Sequence, residues 1–193
     1  MMSEESGPVA LSEARTVLLL GAPHDEAVGD GCRNLVHGGD PDHVIVVLLA
    51  RSPREWIEWW ERHEGSIPEE LVFVTTGDPP SGLPPGTSVE RVSSPTDLTA
   101  LGIRAADHLE RWADQGIKPS LCFDSLTVLL QYVDIETAYK FMHALSTRVA
   151  NADARAHVHL DPRTMDEQTL STVESIFSAV ARHDGDGWNV GRR

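Results

Sequence analysis

Lysine is nearly absent from this chain of 193 residues: Lys118 and Lys140 are the only two, and 14 of the 16 basic residues are arginines. Asp and Glu number 30, which gives a formal net charge of −14. In molar salt the Debye length is only about 3 Å, so the mutual repulsion of such an acidic surface is screened. The composition therefore favours a protein of a halophile cytoplasm, and an ordinary acidic protein is the alternative.

Clusters of cations are also missing, which limits the class of partner. Contacts with a phosphate backbone need grouped Lys and Arg side chains. Arg51 and Arg54 come nearest to a cluster, but Glu55, Glu58 and Glu61 offset their charge. We therefore expect no nucleic-acid partner.

Cysteines and long apolar runs are scarce as well. Cys32 and Cys122 are too few for a disulfide framework, and Cys122 lies in an apolar run that predicts a buried thiol. The longest apolar stretch, residues 44–50, is too short to cross a membrane. Residues 1–10 contain acidic side chains and no apolar run, which is not typical of a signal peptide. We expect a cytoplasmic protein that does not bind a membrane.

Short apolar runs that alternate with amphipathic segments dominate the rest of the chain. Near-continuous apolar runs of this length are typical of strands covered on both faces, as in a parallel sheet. They predict an α/β fold with a doubly wound, mostly parallel sheet of about five or more strands. We expect a flexible N-terminal tail over residues 1–12 and a single domain over residues 13–193. The predicted strands span residues 16–20, 43–49, 71–75, 121–124 and 156–160.

Helical spacing of apolar residues connects these strands. One helix is predicted from Pro95 to a stop at Gly116, and Asp134 can cap the next. Thr164 and Glu167 form a capping-box pattern, which predicts a last helix that continues to Val180.

Residues 120–132 (SLCFDSLTVLLQY) resemble the Walker B segment of the KaiC and RadA proteins, in which an apolar strand ends in Asp-Ser followed by Leu-Thr. Asp124 and Ser125 hold those places here. The next helix, with Asp134 and residues 139–141 (Tyr-Lys-Phe), is similar to that group as well.

This resemblance covers most of residues 15–183 and points to a haloarchaeal branch of degenerate KaiC-like proteins in the RecA superfamily. It implies a RecA/KaiC-like three-layer sandwich. It also implies self-association, although without a bridging nucleotide a dimer or a partner complex is favoured over a hexameric ring.

The first glycine loop departs from the family pattern. A working P-loop reads G-x-x-x-x-G-K-[ST], in which the Lys reaches the phosphates and the hydroxyl binds Mg²⁺. Counted from Gly21, Glu26 replaces the second glycine, Ala27 the lysine and Val28 the hydroxyl, while Asp25 adds a second negative charge. We predict no ATPase activity, no catalytic residue and no cofactor. Weak nucleotide binding through backbone N–H groups alone stays open as an alternative.

Asp124 would hold Mg²⁺ in an active relative, and here we expect it to cap the turn after its strand. Ser125 is not expected to be a hydrolase nucleophile, because no G-x-S-x-G elbow surrounds it.

A metal site is the second candidate. Residues 22–26 resemble the His-Pro-Asp-Asp-Glu motif of zinc-dependent de-N-acetylases, but they are one residue short. Alternation places His157, His159 and Asp161 on one face of a strand, where they could meet His24 at the carboxyl edge of the sheet. The alternative function is therefore a metal-dependent hydrolase that uses these four residues with Asp25. The structural alternative is that the two histidines pack under a helix and Asp161 begins a turn, with no metal bound.

Three tryptophans, Trp56, Trp59 and Trp60, lie on one short predicted helix after Ser52. Tryptophan is enriched at binding hot spots, so an exposed stripe could bind a partner, whereas a buried one would cover the core. The favoured function is a non-catalytic KaiC-like pseudo-ATPase that serves as an interaction or regulatory module. Its partner would be another protein or a second copy, bound by the tryptophans and by the rim formed by residues 24–26.

Overall fold

An eight-stranded sheet lies at the centre of the protein in the computed structural model, which describes residue 11 and residues 14–192. The strand order is β4-β3-β2-β5-β6-β1-β7-β8, and every neighbouring pair is parallel except β7 and β8. The strands are β1 (Thr16–Leu20), β2 (Asp40–Leu48), β3 (Glu70–Thr75), β4 (Thr87–Arg91), β5 (Pro119–Asp124), β6 (Arg155–Leu160), β7 (Ala179–His183) and β8 (Trp188–Arg192).

The helices lie on both faces of this sheet. One buried cluster joins α1 and α2 to one face, and a second joins α3, α4, α5 and α6 to the other. They are α1 (Glu26–Val36), α2 (Pro53–Glu64), α3 (Leu98–Ala113), α4 (Leu126–Leu129), α5 (Ile135–Asn151) and α6 (Glu167–Glu174), and a 3₁₀ turn spans Pro162–Thr164.

Strand β1 shows why the central strands are continuously apolar. Leu18 and Leu20 pack into the cluster under α3 and α5, whereas Val17 and Leu19 pack under α1. All of its residues are buried, because successive side chains point to opposite faces and both faces are covered. The predicted doubly wound, three-layer α/β sandwich is confirmed.

The carboxyl-terminal part of the chain differs from the prediction. Helix α6 is capped by Asp166, not Thr164, and it ends at Glu174, so the predicted continuation to Val180 is wrong. Ser178 accounts for the difference: its side chain donates to the carbonyl of Thr16 (2.8 Å) and the chain then pairs with β1 as β7. A helical apolar period does not reveal such a long-range contact.

The sequence also does not predict β4 and β8, the two edge strands of the sheet. Both are short and rich in polar residues, so neither contains a continuous apolar run. The predicted tail over residues 1–12 lies outside the described residues except for Leu11, which is buried in the cluster under α1. Within the described residues, no helix has both the length and the apolar character needed to span a bilayer.

Helix α2 carries the three tryptophans toward the sheet. Ser52 and Glu55 form a full capping box that fixes its first turn. Trp56 and Trp60 are buried and stack on each other, with ring centroids 4.9 Å apart, and Trp59 is half-buried. A partner surface made of all three tryptophans is therefore wrong, and the alternative, that they cover the core, describes Trp56 and Trp60.

Truncation of Trp56 should strongly destabilise the fold. Trp56→Ala removes a completely buried ring that contacts Trp60 and Phe73, and such cavities cost about 3–5 kcal/mol. Urea denaturation should show a lower midpoint with an unchanged slope. Tyr132→Ala, at a site that is 52% exposed, is the control and should change the midpoint little. Equal effects of the two substitutions would contradict this packing.

Candidate functional site

The polar residues of interest gather at the carboxyl ends of β1, β2, β5 and β6. These strands are parallel and adjacent in the order β2-β5-β6-β1, so their carboxyl ends share one edge of the sheet. Ligands of doubly wound proteins bind at this edge. Residues 21–25 connect β1 to the N-terminus of α1, which is where a P-loop would hold phosphate.

Asp25 occupies the N-terminus of α1 with its own carboxylate. Its Oδ1 accepts the N–H of Ala27 (2.9 Å), and its Oδ2 lies 2.7 Å from Nδ1 of His183 on β7. Partial burial raises the pKa of the Asp25 carboxyl, but the hydrogen bonds from His183 and Ala27 outweigh this and leave the pKa below its usual value. The carboxyl is therefore an anion at neutral pH, placed where a bound phosphate would lie.

The residues that replace the P-loop signature have other roles. Val28 is buried, and a Cβ added to Gly21 would lie 2.3 Å from its Cγ2 atom, so this close contact requires glycine. Ala27 is half-buried and offers no cation, and Glu26 is exposed in the first turn of α1. At these positions the chain provides neither the lysine nor the hydroxyl of an active loop.

Asp124, at the end of β5, is held by an arginine. The Nε and Nη2 atoms of Arg51, just after β2, lie 2.9 Å and 2.5 Å from its Oδ2. Burial alone would lower the pKa of Arg51. The charge and hydrogen bonds of the nearby Asp124 carboxylate together have the opposite effect, and the pKa of Arg51 lies above its usual value. The expectation that Asp124 caps the following turn is wrong, because Ser125 caps α4 by accepting the N–H of Val128.

The ring of Trp59 lies beside this ion pair. The guanidinium groups of Arg51 and Arg33 lie 5.4 Å and 5.9 Å from the centroid of its ring, within the range of cation–π attraction. A Cβ added to Gly29 on α1 would lie 3.2 Å from Trp59, so α1 and α2 are in close contact here. The half-buried Trp59 thus lies close to both arginines and to α1.

The predicted metal-ligand set is divided in the structure. His24 is exposed, whereas Asp161 is bound by Arg163, whose Nε and Nη2 atoms lie 2.9 Å and 2.7 Å from its two carboxylate oxygens. These hydrogen bonds lower the pKa of Asp161. His157 and His159 do lie together on one face of β6, with ring centroids 5.3 Å apart.

Their neighbours are the two cysteines. Among the described residues, one group has the composition and closeness of a metal site: Cys32, Cys122, His157 and His159, whose potential ligand atoms all lie within 4.8 Å of one another. A hydrogen bond with Cys122 lowers the pKa of the Cys32 thiol, and the same contact and burial raise that of Cys122. Sequence reasoning missed the cysteines, although Cys32 shares the apolar face of α1 with Val28.

Comparison with known proteins shows one family and a common fold. A family model described as a family of unknown function, DUF7504, matches residues 14–182. No curated protein is significantly similar in sequence.

Three solved archaeal structures resemble the fold. The Pyrococcus horikoshii OT3 protein PH0250 has a TM-score of 0.62 at 10% identity, covering 96% of this chain and 92% of its own. Protein PH0321 of Pyrococcus horikoshii has a TM-score of 0.62 at 16% identity, covering 92% of this chain and 82% of its own. The flagellar accessory protein FlaH of Methanocaldococcus jannaschii has a TM-score of 0.53 at 13% identity, covering 91% of this chain and 75% of its own. At these identities the likeness shows the fold alone.

Removal of the Asp25 carboxylate should destabilise the protein in a pH-dependent way. Loss of an N-cap costs about 0.5–2 kcal/mol, so Asp25→Ala should lower the free energy of unfolding by this amount at pH 7. Because the pKa of Asp25 is lower in the folded chain than in the unfolded one, its stabilisation is present above about pH 4 and is lost as the pH falls through the folded-state pKa.

Urea denaturation at several pH values measures this difference. Glu26→Ala, in the same helical turn but without a capping contact, is the control and should have the smaller effect. A difference between wild type and Asp25→Ala that grows on acidification would contradict the assigned role.

Proposed function

Because the chain belongs to the DUF7504 family, for which no function is described, we propose from its site that it is a non-catalytic KaiC-like pseudo-ATPase and serves as an interaction or regulatory module. Its acidic, lysine-poor composition favours a high-salt cytoplasm as its environment.

The Asp25 carboxylate is the observation that carries this proposal. A phosphate oxygen could reach the N–H of Ala27 only by displacing the carboxylate that accepts it at 2.9 Å. The phosphate would also approach two negative charges, Asp25 and Glu26, with no lysine at position 27 to offset them. Phosphoryl transfer depends on positive charge around the transferred group, and this loop supplies the opposite.

The ion pair of Asp124 supports the same proposal. In an active relative a carboxylate here is available to a magnesium ion, whereas Asp124 is paired with Arg51 and only 18% of its side chain is exposed. Magnesium would have to displace a guanidinium that makes two close contacts. Side chains of the protein itself thus occupy both the phosphate and the metal positions of the nucleotide site.

We expect Mg²⁺-ATP to leave the melting temperature of the wild-type chain unchanged. A ligand that binds only the folded state, at about 100 times its Kd, would stabilise it by about 2.7 kcal/mol, which a thermal-shift assay in high-salt buffer detects. A phosphate-release assay should likewise stay at the background rate.

A wild-type shift with Mg²⁺-ATP would contradict the proposal. The variant Asp124→Asn would then locate the nucleotide: loss of the shift places it at this site, and an unchanged shift places it elsewhere. Either result replaces the pseudo-ATPase with a nucleotide-binding protein.

A surface groove between α3 and α5 is our candidate for the interaction surface. It has a volume of about 470 Å³ and exposes 46% of Ile103. One protein of similar fold, PH0321, is described in complex with an unknown peptide, which supports an interaction role for such a domain. The apolar lining is made by Leu98, Gly102, Ile103, Phe141, Ala144 and Leu145.

We propose that a second copy of the chain covers this groove. In the proposed high-salt environment charge is screened beyond about 3 Å, so only the charges in direct contact must be balanced where two copies meet. The groove provides such a place, because Lys140 pairs with Glu136 and Arg148 pairs with Glu110 at its rim. In a two-fold contact the same patch faces itself, and its cations can meet the anions of the other copy.

Light scattering after size-exclusion chromatography tests the dimer. The wild-type chain should have the mass of a dimer at high concentration, and Ile103→Glu should be a monomer because it buries a charge in the contact. Tyr132→Glu, at the other large exposed apolar residue of the described chain, should remain a dimer. A wild-type monomer at all concentrations would contradict self-association and leave another protein as the occupant.

A further inference from the structure

Four side chains of the types that bind metals converge beneath α1. Cys32 comes from α1, Cys122 from β5, and His157 and His159 from β6. Cys122 and His157 are direct neighbours across the β5–β6 pair, and Cys32 lies over them. Sheet order, rather than closeness in sequence, brings them together.

Their spacing is close to that of the ligands of a tetrahedral zinc ion. Bonds of about 2.3 Å to sulfur and about 2.0–2.1 Å to nitrogen place two sulfurs about 3.8 Å apart and a sulfur and a nitrogen about 3.5 Å apart. The Sγ atoms of Cys32 and Cys122 are 3.9 Å apart, and Cys32 Sγ lies 3.1 Å from Nε2 of His157. The fourth side chain, His159, has its ligand atom within 4.8 Å of the others.

His159 provides a second, independent indication of a ligand. Its Nε2 atom is buried and has no hydrogen-bond partner. A buried polar atom without a partner destabilises the folded chain, and a metal ion at this position would provide the missing partner.

Charge balance permits an ion in this interior position. Two thiolates neutralise one Zn²⁺, and two neutral imidazoles complete the shell, so the assembled site carries no net charge. Burial of a neutral assembly avoids the large desolvation penalty of an isolated ion. Thiolate and imidazole ligands also select zinc over the hard cations Mg²⁺ and Ca²⁺.

We propose that Cys32, Cys122, His157 and His159 form a structural zinc site that joins α1 to β5 and β6. The protein fills all four positions, which leaves none for a catalytic water. The site therefore stabilises the domain and does not support the metal-dependent hydrolase. Its four residues differ from those of the phosphate loop, so substitutions can test metal binding and nucleotide binding separately.

The first experiment measures the metal content of the full wild-type chain by inductively coupled plasma mass spectrometry. We expect one zinc ion per chain after purification without chelator. After zinc is removed, one cobalt ion per chain should bind and give a thiolate-to-cobalt charge-transfer band and intense tetrahedral d–d bands. This spectrum reports the ligands without any substitution.

Substitutions then assign the ligands. Cys32→Ser and His159→Ala should each weaken cobalt binding by at least about tenfold, since even the loss of a supporting second-shell group costs 10–100-fold. His24→Ala, at an exposed histidine outside the cluster, is the matched control and should leave the affinity unchanged.

Several results would overturn the proposal. They are a wild-type chain that binds no cobalt, a cobalt complex without the charge-transfer band, and binding that both substitutions leave unchanged. A Cys32–Cys122 disulfide found by non-reducing mass spectrometry in the freshly purified chain would overturn it too. If the variants do not fold, the wild-type stoichiometry and spectrum still decide the question.

Discussion

Burial of the central strands on both faces is the constraint on which the rest of this structure depends. Strands β1 and β5 lie between two helical layers, so a polar side chain within them must find a partner inside the protein. Where the strands end, polar groups reach the edge of the sheet and meet one another. Asp124 meets Arg51 there, and Asp25 meets His183. Where polar groups remain inside, Cys122 and His157 meet Cys32.

Under the proposed function, the sheet edge differs from an ATPase site because side chains of the protein itself occupy the positions of phosphate and metal. The N-terminus of α1 is satisfied by Asp25, and the carboxylate after β5 is satisfied by Arg51. Each contact stabilises the free domain, and each would oppose a nucleotide or its metal. Where the P-loop pattern has a hydroxyl, this chain has Val28, which lies against Gly21 in the core.

The sequence alone predicted the sheet better than the site. Five apolar runs located five strands, because a strand buried on both faces has a continuous apolar sequence. The edge strands β4 and β8 contain more polar residues and give a weaker sequence signal. The altered loop at Glu26, Ala27 and Val28 was also evident from sequence, since it needs only a count from Gly21. The cysteine–histidine cluster was not, because it depends on β6 lying between β5 and β1. The inward direction of Trp56 likewise depends on packing that a helical period cannot specify.

The carboxylate cap on α1 has a consequence for how such a domain behaves in a cell. Proteins that bind ATP gain stability from it, so their folded population follows the supply of nucleotide. Under the proposed function, a domain whose helix N-terminus is capped by its own carboxylate has no such dependence. Its folded fraction would then be the same at low and at high ATP concentration.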